Sequence, residues 1–109
     1  EIVYFRPEEF RCRCGRCSTD PTTMNETLMR VLDQIRGELN VPILVTSGLR
    51  CSQHNSNVGG VYNSKHLTGC AVDFVASPYS SDVVLQRVNM HSEIQYAYAI
   101  DSGAVHMNV

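Results

Sequence analysis

The clearest pattern in the chain is a helical one. Leu28, Val31, Leu32, Ile35 and Leu39 recur at steps of three and four, which predicts one apolar face of an α-helix of about 16 residues ending near Asn40. Thr23-Met24-Asn25-Glu26 precedes it with the spacing of a capping box, Thr23 at the cap and Glu26 reaching back, and Val41-Pro42 follows it. Ile43-Leu44-Val45-Thr46, bounded by Pro42 and Ser47-Gly48, predicts a buried strand. A short helix is expected from Cys51 to Val58, stopped by Gly59-Gly60.

Cys70 to Val75 reads as a second strand, broken by Pro78. Ser80 or Ser81 then caps a helix carrying Val83, Val84, Leu85 and Val88. Two further strands are expected over 94–100 and 104–109, joined by the turn Asp101-Ser102-Gly103. Ile2 to Phe5 is a short β-prone stretch, and a polar, cysteine-rich segment follows it to about Thr22. Helices mixed with a mostly antiparallel sheet define an α+β domain. At 109 residues the chain is a single domain, 1–109, with segment 1–22 packed on it.

Composition narrows the function mainly by exclusion. Hydrophobic residues are 43% and charged residues 18%, a globular balance. Nine Lys and Arg against eleven Asp and Glu leave a net charge of −2, without the basic footprint that nucleic-acid binding requires. No apolar run has the length of a membrane span. The chain opens at Glu1 without Met, which reads as a trimmed or mature fragment and leaves localisation open.

Five cysteines stand at 12, 14, 17, 51 and 70. Three readings compete for the cluster Cys12-x-Cys14-x-x-Cys17. Cys14-Gly-Arg-Cys17 has the spacing of a redox pair, but that needs a strand before it and a helix after it, and its flanks are polar and turn-like. A structural zinc site with Cys51 as fourth ligand fits thiolate chemistry. The plainest reading makes Cys12 and Cys51 structural cysteines, holding the N-terminal loop to the core through one disulfide or as buried thiols.

Three other residues carry the chemistry. His66 precedes the second strand, Asp73 lies within it, and His106 lies in the last strand. They converge if those two strands are sheet neighbours. Two imidazoles and one carboxylate leave a position for water, as in catalytic zinc sites. Spacing alone leaves open that the histidines are ordinary core or surface residues and that Asp73 ends a hydrogen-bond ladder.

The residues between them decide the reading. Ser47-Gly48-Leu49-Arg50, His54-Asn55, Gly59-Gly60 and Ser64-Lys65-His66-Leu67-x-Gly69-x-Ala71-x-Asp73 follow in order, and Val105-His106 closes the chain. This series resembles the LAS-type zinc peptidases of the D-alanyl-D-alanine carboxypeptidase and phage-endolysin group. Glu9-Phe10-Arg11-Cys12-x-Cys14-Gly15 is similar to the opening of one branch of that group.

The resemblance implies the LAS fold, shared with the hedgehog signalling domain and the D,D-peptidases, and one zinc ion held by His66, Asp73 and His106. It implies that Arg50 binds and polarises substrate, with a salt bridge pinning the strand end as its alternative role. It implies that Ser64 holds its loop or contacts substrate. Gly59, Gly60 and Gly69 are assigned to tight turns, and His54 to packing or to hydrogen bonding that supports the site. The implied partner is the stem peptide of peptidoglycan, acted on by a monomer that is periplasmic, extracellular or released by a phage.

The expected activity is D-Ala-D-Ala carboxypeptidase. The alternatives are L-Ala-D-Glu endopeptidase and a zinc-containing module that binds wall peptides without cutting them. The group commonly has an acid three residues before the last histidine, where this chain has Gly103. Asp101 is the nearest carboxylate and the expected general base, its alternative being a purely turn-forming role. Asn108 has no basicity to offer and is expected only to line the site.

Overall fold

The computed structural model describes residues 2–100 and 102–109. Four strands, β1 (Leu44–Ser47), β2 (Ala71–Val75), β3 (Tyr96–Ala99) and β4 (Val105–Asn108), form one sheet in the order β1-β2-β4-β3. Every neighbouring pair is antiparallel. Among the described residues three α-helices accompany it: α1 (Glu26–Leu39), α2 (Ser52–Asn57) and α3 (Ser81–Val88). The α+β class expected from the sequence is the class observed.

Alternation along the central strands separates the core from the site. Val72 and Phe74 of β2, with Val105 and Met107 of β4, join one apolar cluster with Leu28, Val31, Leu32, Ile35 and Leu39 of α1 and with Val84 and Val88 of α3. The residues between them, Asp73, His106 and Asn108, take the opposite face of the sheet because successive strand side chains alternate. A one-residue slip would exchange the two sets, so the burial of the core fixes the register that assembles the polar row.

Several local expectations are corrected. Thr23 does not cap α1; Asn25 does, its side chain accepting the Leu28 N–H at 3.0 Å. Thr23 is instead the last residue of a 3₁₀ turn, Pro21–Thr23, capped by Asp20. An Asx side chain is a strong acceptor at a helix start and displaces the cap by two residues. The strand expected at Ile43–Thr46 runs one residue later, and as an edge strand it leaves Leu44 exposed. Ile2 to Phe5 forms no strand, since the N–H groups of Val3 and Tyr4 are taken by the Asp33 carboxylate on α1. Ser80 is the cap of α3.

The N-terminal segment is anchored by Phe10, which is fully buried and lies edge-on to Phe5. Its carbonyl accepts the Leu49 N–H at 2.9 Å. Gly48 permits this approach, because a Cβ there would stand 2.7 Å from the Phe10 carbonyl oxygen.

Candidate metal centre

A single row crosses the sheet. Ser47 pairs with Asp73, Asp73 with His106, and His106 with Tyr98, so β1, β2, β4 and β3 each contribute one residue. His66 joins from a 3₁₀ turn, Lys65–Thr68, immediately before β2. Ser64 caps that turn by accepting the His66 N–H at 3.2 Å. His66, Asp73 and His106 are all buried, and a ligand-type atom from each lies within 4.8 Å of the other two.

The hydrogen bonds show which nitrogen of each ring is free. His66 Nδ1 lies 2.7 Å from the Gly48 carbonyl oxygen, which only accepts, so Nδ1 carries the proton. In the neutral ring Nε2 is then a lone pair, directed at Asp73 Oδ1 from 3.1 Å. His106 has the mirror arrangement, with Nε2 at 2.9 Å from Asn108 Oδ1 and Nδ1 at 2.8 Å from the same Asp73 Oδ1. Two ring nitrogens and one carboxylate oxygen thus converge on one point. Lone pairs facing a carboxylate repel unless a proton or a cation lies between them. Imidazoles whose far nitrogens donate to fixed oxygens, meeting at a carboxylate, are the arrangement found around protein-bound metals, and the donor set suits zinc.

Arg50 holds the other side of the carboxylate. Its Nε donates to Ser47 Oγ at 3.0 Å, one terminal nitrogen to Asn55 Oδ1 at 3.0 Å, and the other approaches Asp73 Oδ2 at 3.4 Å. Burial disfavours the Asp73 charge. In the metal-free chain protons lie between the rings and the carboxylate. The resulting hydrogen bonds from His106 and His66, with their attraction, outweigh burial and hold the carboxyl at about 2, below its ordinary 3.8.

Other motif residues explain the clamp. Asn55, buried on α2, also donates to the Val61 carbonyl at 2.8 Å, which orients its amide toward Arg50. Asn55 rather than His54 is therefore the member of that pair that supports the site. Gly60 has no unusual φ; it leaves room, since a Cβ there would fall 2.1 Å from Asn55 Oδ1 and 2.9 Å from Arg50. Gly59 and Gly69 do take positive φ at turns. Gly60 belongs to the same turn as Gly59, its N–H donating to the Asn55 carbonyl at 2.8 Å, so the expected assignment to turns holds for all three.

Tyr98 escapes the sequence reading, and Ser47 is read there only as a motif position without a role. Tyr98 lies on His106, and Ser47 receives Arg50 Nε. The Tyr98 phenol is pushed up by burial and by the nearby Asp73 carboxylate. The alternation Tyr96-Ala97-Tyr98-Ala99 signals a two-faced strand, yet not which face meets the histidines. Asn108 does more than line the site, since it orients His106. His91 stands away from the metal centre, paired with Glu38 at 2.9 Å. Asp101 lies outside the described residues. Around Cys14 and Cys17 the backbone makes turns, without the strand and helix that a redox pair requires. No helix among the described residues is long and apolar enough to cross a membrane.

Comparison with known proteins gives a family and a similar fold. The family model of peptidase M15 matches residues 3–108. The L-Ala D-Glu endopeptidase ChiX of Serratia marcescens superposes with a TM-score of 0.55 at 24% identity, covering 81% of this chain and 82% of ChiX. No curated protein sequence matches significantly.

Proposed function

The chain belongs to the peptidase M15 family, and we propose that it is a zinc enzyme that hydrolyses an internal bond of the peptide stem of bacterial peptidoglycan, the L-Ala–D-Glu bond. His66, Asp73 and His106 would hold the ion, which when bound acts as a Lewis acid toward a carbonyl and lowers the pKa of water. Gly48 and Asn108 accept from the outer nitrogens of His66 and His106, which leaves the inner nitrogens to face the ion. Ser64 holds His66 in place through its turn. Asp101, the carboxylate nearest His106 in sequence, is the proposed general base. It takes the proton of the attacking water and delivers it to the leaving amine.

The observation that carries the choice of bond is the state of Arg50. A guanidinium has five N–H donors, and one from each of its three nitrogens is directed at Ser47, Asn55 or Asp73. Its charge faces Asp73, 3.4 Å away. Two donors remain, and they suit the single oxygen of a substrate carbonyl. The fold shared with ChiX, itself an L-Ala D-Glu endopeptidase, supports the same choice.

Two synthetic stem peptides test this, one with an intact L-Ala–D-Glu bond and a blocked C-terminus, the other ending in D-Ala-D-Ala. The zinc-loaded chain is expected to cut the first and release a new amino-terminal D-Glu. Free D-alanine as the sole product would instead make it a carboxypeptidase.

A further inference from the structure

A second cluster lies outside the metal centre. The sulfur atoms of Cys12, Cys14, Cys17 and Cys51 all lie within 4.8 Å of one another. Cys51 Sγ is 3.7 Å from that of Cys12 and 3.8 Å from that of Cys14. Four thiolates around a tetrahedral zinc, with Zn–S bonds of ~2.3 Å, have sulfur–sulfur edges of ~3.8 Å. The sulfurs are therefore spaced as corners of one coordination shell, three from a single loop and one from the cap of α2.

The backbone is arranged around the same sulfurs. The Cys51 N–H is directed at Cys12 Sγ at 3.3 Å, the Arg16 N–H at Cys14 Sγ at 3.3 Å, and the His54 N–H at Cys51 Sγ at 3.4 Å. Amide donors aimed at sulfur stabilise thiolate, the form that binds metal. Arg13, in the same loop, lies close enough to Cys12 to attract its thiolate.

We propose that Cys12, Cys14, Cys17 and Cys51 form a second, structural metal site that binds one zinc ion as a tetrathiolate. Binding replaces four thiol protons, released to solvent, with one Zn²⁺ and changes no oxidation state. The ion joins the N-terminal loop to the residue that follows Arg50, across a separation of 39 positions. It thereby acts with the Phe10–Leu49 hydrogen bond to hold the loop from which Arg50 reaches Asp73. Cys70 lies outside the cluster and remains a thiol.

Metal analysis and cobalt spectroscopy of the full chain test the proposal. Purified with zinc and dialysed, the chain is expected to retain two zinc ions, His66→Ala one and Cys17→Ser one. Loaded with Co²⁺, the unmutated chain and His66→Ala are expected to show a near-ultraviolet thiolate-to-cobalt charge-transfer band that Cys17→Ser lacks. The spectrum of the unmutated chain stands even if a variant folds poorly. Zinc retention left unchanged by Cys17→Ser, a cobalt protein without that band, or a Cys12–Cys51 disulfide in peptide mapping would each overturn it.

Discussion

Tyr98 lies almost flat on His106, with ring centroids 4.7 Å apart and planes 19° apart. The two are register partners across β3 and β4, so the stack follows from the strand pairing that also brings His106 opposite Asp73. Tyr98 is 43% exposed and forms the outer wall of the imidazole. Aromatic pairs of this kind contribute about 0.5–1.5 kcal/mol beyond the area they bury. Tyr98→Phe is expected to keep zinc affinity within about twofold. Tyr98→Ala is expected to weaken it by about 2- to 10-fold, the same energy expressed as binding. Chelator competition on both variants checks the pair, and equal affinities would remove the ring from the account.

Asn108 is predicted to matter through His106 alone. Its carboxamide oxygen fixes the outer nitrogen of that ring, and loss of such a partner typically costs about 10- to 100-fold in metal affinity. Asn108→Ala is expected to show that loss with zinc still recoverable at higher concentration. Asn108→Asp, which keeps an acceptor, is expected to retain most of the affinity.

Asp101→Ala separates catalysis from metal binding. Zinc content is expected to be unchanged, while turnover falls by about 10²- to 10⁴-fold, the usual contribution of a general base. Metal analysis beside a rate assay on one preparation decides it. Unchanged turnover would give the proton transfer to another group.

Acid stability reports the environment of Asp73. Its folded pKa of about 2 lies below the ordinary 3.8, so its ionised form stabilises the fold above about pH 4. That contribution is lost as pH falls through about 2. At ~1.4 kcal/mol per pKa unit it amounts to about 2 kcal/mol. Urea unfolding of the metal-free chain at about pH 5 and about pH 2 is expected to show a drop larger by this amount than in Asp73→Asn. Equal drops would mean that the carboxylate is not held by His66 and His106.

What the sequence disclosed divides by the range of the interaction. The resemblance to the zinc peptidases placed Arg50, Asn55, Gly60 and His66 in one motif, whose contacts are local to the segment from Ser47 to Asp73. The pairing of Asp73 with His106 followed from two strands being neighbours. The Thr23 cap was misplaced because Asn25, two residues on, competes for the same helix start. Tyr98 was out of reach because cross-strand register depends on the β3–β4 pairing and not on local pattern. The cysteines remained ambiguous for the same reason. Three lie close together in the chain, and only the tertiary fold brings Cys51 to them.

The most direct measurement is mass spectrometry of purified peptidoglycan after digestion with the zinc-loaded chain and, in parallel, with His106→Ala. The unmutated chain is predicted to release fragments with new amino-terminal D-Glu, and His106→Ala, left with two protein ligands, to release none. Intact peptidoglycan with zinc demonstrably bound to the unmutated chain, or equal digestion by both proteins, would contradict a hydrolase built on His66, Asp73 and His106.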